Sequence, residues 1–285
     1  MNQTTQISGE RTSGEQSSQS KSKPKLQFEL TVSEVSQLTP NMRRIEFSGT
    51  SLAKFPDGFV GGYVKFLFHK DGTPVETLAD IPEGRPVMRS FTVRAIDQSA
   101  CKLTIDAAMH DPHGETGEGP AARWVRNVTV GSPLVLIGPG PVKLSEAGAD
   151  AYALAGDMTA LPALACNLEQ LPEDATGHCF VEVLSEQDIQ PLQKPNGIEL
   201  HWVVDGESIS DDPENSPFVS QIKALDWPQG SVCTWAACEF NKMKAIRQYF
   251  RLREVPKGMG YISSYWKAGR TDEEHKQDKK QDTDA

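Results

Sequence analysis

Ala151-Tyr-Ala-Leu-Ala-Gly-Asp-Met-Thr-Ala-Leu-Pro162 marks the point at which the pattern of apolar residues changes along this chain. Residues 151–155 are apolar, as a buried strand requires, and a helical pattern follows from about 160 to 171. The alternation continues downstream, with strand patterns at 178–184, 198–204, 232–237 and 261–266 and helical patterns at 218–225 and 242–253. Alternating strands and helices predict a parallel sheet with helices on both faces.

Upstream of Pro141 the pattern is one of short strands separated by Gly and Pro. Six β-type runs lie at 26–33, 43–48, 63–69, 90–94, 103–109 and 134–137, with one helical interruption at 121–126. Runs at this spacing predict an antiparallel β-barrel. We therefore expect an N-terminal antiparallel β-barrel over residues 24–145, followed by a C-terminal α/β parallel-sheet domain over 146–270, whose nucleotide-binding motifs are described below.

The two ends of the chain have a different composition from its middle. Residues 1–23 are rich in Ser, Gln and Thr, and residues 271–285 alternate acidic and basic side chains. Neither segment buries enough apolar surface to offset its ordering entropy, so both are expected to be disordered tails. The alternative for the second segment is a solvated helix end.

Bulk composition narrows the functional classes. The net charge of −10 and the pI of about 5.2 argue against a nucleic-acid partner, which needs clustered Lys and Arg. No apolar run reaches 18 residues, so no membrane span is expected, and the cytoplasm is the expected location. A monomer is the expected oligomeric state. The five cysteines show no paired spacing, which predicts buried thiols and no metal site.

Two motifs in the barrel region suit a flavin. In Arg89-Ser-Phe-Thr-Val-Arg94 an Arg supplies a planar fork for phosphate oxygens, and Phe91 supplies an apolar wall for a ring system. Gly119-Pro-Ala121 opens a short helix, and a helix start is a phosphate site because its amide groups are unpaired. Taken singly, each is also compatible with an ordinary strand or an ordinary loop-to-helix junction.

The second domain offers a place for another nucleotide. Gly156-Asp-Met-Thr159 follows the first strand at its carboxyl end, where open α/β sheets bind ligands. After the next strand, Ser185-Glu-Gln-Asp188 contains no cation for a 2′-phosphate, which weakly favours NADH over NADPH. Glu239 follows a buried strand, where it faces a nucleotide or serves as the charge at a helix N-terminus.

The chain resembles the siderophore-interacting protein family, FAD-dependent ferric-siderophore reductases of the ferredoxin-reductase-like superfamily. The resemblance runs through about residues 25 to 270 and ends on Tyr265-Trp-Lys-Ala-Gly269, its most specific motif. The other matching stretches are Arg89–Arg94, Asp106–His110, Gly119–Trp124, Gly138–Gly140, Gly156–Ala163 and Trp235–Glu239. The chain departs from the family pattern at Phe91, where Tyr is usual, and at Cys238, where Gly is usual.

The resemblance implies which residues take each partner. It places FAD in the barrel domain, on Arg89, Ser90, Phe91, Thr92, Asp106, His110, His113, Gly114, Pro120, Ala121 and Ala122. The NAD(P)H positions are Asp157, Thr159, Ala160 and Glu239, and the cations around a ferric siderophore are Lys65, Arg123 and Lys267. Which of His110 and His113 lines the flavin stays open.

The implied activity is reduction of a ferric siderophore to release Fe(II), with chemistry carried by the cofactor and no catalytic side chain. NADH, NADPH and reduced ferredoxin all stay open as the electron donor. Two alternatives remain: a flavin reductase that feeds electrons to a protein partner, and a siderophore-binding protein without turnover. The sequence does not distinguish hydroxamate, catecholate and carboxylate siderophores.

Overall fold

The first half of the chain is an antiparallel sheet that curls on itself. The computed structural model describes residues 26–109, 118–145, 148–205, 212–256 and 258–283. Seven strands pair in the order β4-β3-β7-β1-β2-β6-β5. Their bounds are β1 Leu26–Thr39, β2 Met42–Ser48, β3 Tyr63–Phe68, β4 Val87–Thr92, β5 Ala95–Asp97, β6 Lys102–Ala108 and β7 Pro133–Gly140.

Aromatic side chains fill the interior of this sheet. Phe47 of β2 and Phe66 of β3 lie on strands that are not neighbours in the sheet, yet their ring centroids are 5.4 Å apart. Helix α1, Pro120–Asn127, places Trp124 against both rings, at 6.1 and 5.4 Å. The alternating pattern of β1 and β2 thus builds one closed apolar core, and α1 covers one side of it.

The second half is a five-stranded parallel sheet in the order β10-β9-β8-β11-β12. Its strands are β8 Ala151–Gly156, β9 Thr176–Val183, β10 Gly197–Val204, β11 Val232–Glu239 and β12 Gly260–Trp266. The helices are α2 Leu161–Gln170, α3 Pro217–Lys223, α4 Phe240–Leu252 and α5 Asp272–Thr283. The predicted fold class, an antiparallel barrel domain followed by a parallel α/β domain, is confirmed.

Side chains of strand β8 alternate between the two faces of the sheet, and different helices cover those faces. Tyr152 and Leu154 of β8 belong to the same core as α2, whereas Ala155 lies in the core that α3 and α4 cover. Successive side chains of a strand point to opposite faces, so an all-apolar strand such as β8 is buried on both. Helices therefore lie on both faces, as the sequence pattern predicts.

A buried carboxylate joins the two domains. Asp188, in a 3-10 turn after β9, is fully buried and accepts hydrogen bonds from Thr39 Oγ1 at 2.8 Å and from the backbone and side chain of Asn41, both at 2.9 Å. Ser185 Oγ donates a further bond at 2.9 Å. Burial by itself would raise the pKa of Asp188, but these hydrogen bonds outweigh it and hold the pKa below its usual value.

Helix α5 corrects one expectation. Residues 271–285 were expected to be a disordered tail or a solvated helix end, whereas residues 272–283 form a helix that packs against the protein. Thr271 and Glu274 form a capping box: Glu274 Oε2 accepts from the Thr271 amide at 2.8 Å, and Thr271 Oγ1 accepts from the Glu274 amide at 3.3 Å. The helix does not need a wide apolar face, because it packs through ion pairs and one buried histidine.

Candidate functional site

Strand β4 carries the residues expected to hold a flavin. Its pairing with β3 sets Ser90 opposite Lys65 and Thr92 opposite Tyr63, so Arg89 and Phe91 point to the other face. The Phe91 ring lies 4.4 Å from the Phe66 ring and packs on the barrel core. Phe91 therefore has one side anchored to the interior, as an apolar wall for a planar ligand requires.

Arg89 is engaged by the C-terminal helix. Its Nη1 lies 3.2 Å from Glu273 Oε1 and 3.5 Å from Asp272 Oδ2, and it donates to the carbonyl oxygen of Met88 at 3.0 Å. Carboxylate and phosphate oxygens are recognised by the same guanidinium fork. Arg89 thus already binds anionic oxygens, as it would in contact with a flavin diphosphate.

The start of α1 contains the other residues expected to hold the flavin, Pro120, Ala121 and Ala122. Its N-cap is Gly119, which has no side chain to accept the amide hydrogens of the first turn, and Pro120 holds the first helical position. A Cβ built on Gly119 would meet nothing within 4 Å, so the space beside this helix start is open at Gly119. Amide groups at a helix start are suited to bind an anion such as a phosphate.

Asp106, also expected to line the flavin, is buried where the two domains meet. Arg44 grips both of its oxygens, at 2.7 and 2.8 Å, and Arg94 Nε lies 3.6 Å away. Asp106 is buried, and the small cleft it lines is closed on the other side by Leu161 and Pro162 of α2. Arg94 also pairs with Glu169 of α2 at 2.5 Å, so Asp106 belongs to an ion-pair network that spans the two domains.

Asp157 closes the turn after β8 at the carboxyl edge of the parallel sheet. Its Oδ1 accepts from Thr159 Oγ1 at 2.6 Å, from the Thr159 amide at 2.9 Å and from the Ala160 amide at 3.2 Å. Its Oδ2 accepts from Trp266 Nε1 at 2.7 Å. Three of the residues predicted to lie by the nicotinamide therefore form one rigid turn, and Trp266 of β12 joins them.

Glu239 takes the second of its two alternatives, the helix N-terminus. It is buried, and its Oε2 caps α4 by accepting from the amides of Asn241 at 2.6 Å and Lys242 at 3.1 Å. Its Oε1 accepts from the amide of Ala268 at 3.3 Å, which ties the end of β12 to α4. A carboxylate in this position also complements the helix dipole.

A buried ion pair lies behind this cap. Lys242 Nζ contacts Glu182 Oε1 at 2.5 Å and Asp205 Oδ2 at 3.5 Å, and Lys242 is 1% exposed. Burial raises the pKa of Glu182, with Lys242 acting in the opposite direction by favouring the carboxylate form. Removing one member would leave an uncompensated buried charge.

The three predicted substrate cations have separate partners. Lys65 lies over the Tyr63 ring at 5.6 Å, and Arg123 Nη2 donates to the carbonyl oxygen of Glu118 at 3.5 Å. Lys267 pairs with Asp278 of α5 at 2.7 Å and lies 4.5 Å from the centre of the Phe240 ring. The acidic face of α5 thus holds both Lys267 and Arg89.

Comparison with known protein families decides the assignment. The siderophore-interacting FAD-binding domain matches residues 31–143, and the siderophore-interacting protein family matches residues 149–269. The chain belongs to the siderophore-interacting protein family. Both domains are covered, and the FAD-binding match spans β4 and the start of α1.

Relatives in this family align over nearly their full length. The chain is 32% identical to an uncharacterized protein of Mycobacterium tuberculosis, over 86% of this chain and 91% of that protein. It is 30% identical to the ferric vibriobactin reductase ViuB of Vibrio cholerae, over 85% of this chain and 90% of the reductase.

Solved structures of the family share the fold. The siderophore-interacting protein SipS of Aeromonas hydrophila superposes with a TM-score of 0.71 at 31% identity, covering 85% of this chain and 98% of SipS. A siderophore utilization protein from T. fusca gives a TM-score of 0.73 at 30% identity, covering 87% of this chain and 95% of that one. Ferredoxin-NADP+ reductase of Plasmodium falciparum shares the fold at 12% identity with a TM-score of 0.58, covering 84% of this chain and 96% of the reductase.

Helix α5 contributes what sequence reasoning missed in this family member. His275 is buried, its Nε2 lies 2.8 Å from Ser264 Oγ, and burial lowers its pKa to about 4. Arg247 grips Asp282 with two bonds, at 2.6 and 2.8 Å. The Thr271–Glu274 capping box was the sequence signal that could have revealed this helix.

Some expectations lie outside the described residues. They are His110, His113 and Gly114, which were expected to line the flavin. In the described ranges, no helix combines the length and the apolar character that crossing a membrane would need.

Proposed function

We propose that this protein reduces ferric siderophores through a bound FAD and releases the iron as Fe(II). The observation that carries the proposal is the 30% identity to a ferric vibriobactin reductase over 85% of this chain, including both domains. A ferric acinetobactin reductase of Acinetobacter baumannii is also similar, at 27% identity over 66% of this chain. Fe(II) holds hard oxygen ligands less tightly than Fe(III), so reduction releases the metal.

The flavin would be held on β4 and at the start of α1. Arg89 would contact the diphosphate together with the amides of Ala121 and Ala122, in place of its present contacts with Glu273 and Asp272. Ser90 and Thr92 would supply polar contacts, and Phe91 would supply the apolar wall. Bound FAD would accept electrons as hydride and pass them on singly, while the protein orients the partners.

The ferric siderophore would be attracted by Lys65, Arg123 and Lys267. A net charge of −10 makes the rest of the surface unfavourable to an anionic iron complex. A local group of cations concentrates such a substrate where its iron can accept an electron. Lys267 would exchange its Asp278 partner for the substrate.

NADH is the electron donor we favour, with NADPH and reduced ferredoxin as alternatives. The turn after β9, residues 185–188, offers no cation for a 2′-phosphate. Asp157, Thr159 and Ala160 would border the nicotinamide at the carboxyl edge of the sheet, where the Asp157–Trp266 hydrogen bond fixes the turn. Glu239 would act by positioning α4.

The test is an anaerobic absorbance titration of the purified protein with NADH, followed by a ferric hydroxamate siderophore and a ferrozine trap. Flavin bands that bleach with NADH and return as Fe(II) appears would support the proposal. Bleaching only with reduced ferredoxin would replace the donor. Turnover with a protein acceptor and none with ferric chelates would favour the partner-feeding reductase, and chelate binding without flavin bands would leave a binding protein.

Lys267→Ala tests the substrate cations. We expect KM for the ferric siderophore to rise with flavin content unchanged, because the lost charge attracts substrate and does not hold the cofactor. Lys102→Ala is the matched control, since Lys102 is a half-exposed lysine of β6 that pairs with Glu46 of β2 on the barrel. An unchanged KM in Lys267→Ala would remove Lys267 from the pocket.

A further inference from the structure

Three side chains with metal-binding atoms meet on strands β9 and β10, away from the carboxyl edge where Asp157 lies. His178 is directly opposite Glu199 in the parallel pairing, and His201 follows Glu199 by two residues on the same strand. Residues two apart on a strand share a face, so all three side chains project from one side of the sheet. We call them the His-Glu-His cluster.

The atoms of the cluster are already close together. His178 Nδ1 lies 3.0 Å from His201 Nε2, and the two Glu199 oxygens lie 3.6 Å from His178 Nδ1 and 3.8 Å from His201 Nε2. Four-coordinate Zn²⁺ with bonds of about 2.0–2.1 Å separates neighbouring ligand atoms by about 3.3–3.4 Å. One carboxylate oxygen and the two ring nitrogens all lie within 4.8 Å of one another, so small side-chain adjustments would bring the three ligand atoms to that spacing around one ion.

The rings are held in place by their surroundings. His201 stacks on Phe180 at 4.5 Å with an interplanar angle of 16°, and the two imidazoles lie 5.3 Å apart at 26°. The imidazole side chains are 26% and 27% exposed, whereas Glu199 is 66% exposed. The two nitrogen ligands are therefore preorganised, and the exposed carboxylate is mobile enough to close on an ion that enters from solvent.

The ligand set selects the class of ion. Two imidazoles and one carboxylate, with the remaining positions open to water, suit Zn²⁺ and Fe²⁺, whereas Mg²⁺ and Ca²⁺ prefer oxygen ligands alone. We propose that His178, Glu199 and His201 bind one divalent first-row transition ion of the Zn²⁺ or Fe²⁺ class at the amino-terminal edge of the parallel sheet. The site rests on these side chains alone and is independent of the proposed reduction.

This proposal departs from the expectation of no metal site. Motif spacing does not reveal the cluster, because His178 and Glu199 come from strands separated by a long connection. The parallel register of β9 and β10 brings them together.

Isothermal titration of the untagged, flavin-loaded protein with Zn²⁺ in a non-chelating buffer tests the proposal, with anaerobic Fe²⁺ and Mg²⁺ as further arms. We expect one Zn²⁺ per chain, weaker binding of Fe²⁺ as its place in the divalent series requires, and no binding of Mg²⁺. His178→Ala and Glu199→Gln should each weaken Zn²⁺ binding at least about 10-fold, the lower bound of what even outer-shell changes cost. His69→Gln, in the barrel domain, is the control and should bind as the parent does.

A second measurement identifies the ligands without any substitution. Imidazole ¹⁵N resonances of two histidines should shift on Zn²⁺ addition, and His178→Ala should remove one of them. Failure of the parent to bind Zn²⁺ would overturn the proposal, as would full binding in His178→Ala. Shifts confined to histidines other than His178 and His201, or equal binding of Mg²⁺, would overturn it as well.

Discussion

Acidification should release helix α5, because its buried histidine is held neutral. His275 is 5% exposed, and burial lowers its pKa from 6.5 to about 4. Lys279 and Lys267 also lower that pKa, while Asp272 and Asp278 raise it. When α5 undocks, the imidazole regains its ordinary affinity for protons, so the undocked state binds more protons between pH 4 and 6.5. Docking is therefore weakened as pH falls through this window.

The size of the effect follows from the two pKa values. A shift from 6.5 to about 4 is worth about 3.4 kcal/mol once pH is below both. At pH 5 the histidine is still neutral when docked and mostly protonated when free, which gives about 2 kcal/mol. The undocked population of α5 should thus rise about 20-fold between pH 7 and pH 5.

Hydrogen exchange measured by mass spectrometry provides the assay. Peptides covering residues 272–283 should lose protection at pH 5 relative to pH 7, after correction for the intrinsic exchange rate, while β-barrel peptides should not. His275→Gln keeps a hydrogen-bonding group for Ser264 and does not titrate, so its protection should be independent of pH. Equal protection of the parent at both pH values, or the same loss in His275→Gln, would refute the reasoning.

Three substitutions test other contacts by urea denaturation. Lys242→Met should lower the free energy of unfolding by about 3–5 kcal/mol, because it leaves Glu182 buried without its partner. The double variant Lys242→Met with Glu182→Gln should recover most of that loss. Equal losses in the single and the double variant would contradict the ion-pair argument. Glu239→Ala should cost about 1–2 kcal/mol through the lost cap, with flavin content unchanged by absorbance. Asp188→Ala should lower the free energy of unfolding by about 1–3 kcal/mol, because Thr39 and Asn41 lose their hydrogen-bond acceptor. An unchanged urea midpoint would show that these hydrogen bonds do not stabilise the contact between the domains.

Periodicity was enough to give the fold class. The apolar run at 151–155 and the alternation at 26–33 correctly indicated a two-sided strand and a one-sided strand. Strand β5 escaped prediction because three residues, with both ends exposed, show no period. Such a strand is fixed by its pairing with β6 rather than by its own sequence.

The candidate site was less accessible from sequence, for a physical reason. Residues adjacent in the chain, such as Asp157 and Thr159, could be placed together because one turn holds them. Trp266, which completes that turn, is 109 positions away from Asp157 and could be found only from the sheet order. The pairing of Arg89 with Glu273 depends on how α5 packs across two domains, which no local pattern encodes.

The position of α5 in the chain also orders events during synthesis. Strand β7, at Pro133–Gly140, pairs with both β1 and β3, so the barrel has all its strands before translation reaches the second domain. The acidic partners of Arg89 follow it by more than 180 residues. Since domains fold as units from the N-terminus during synthesis, the barrel can form before Asp272 and Glu273 have been made. Any anion that binds Arg89 at that stage does so without competition from these two carboxylates.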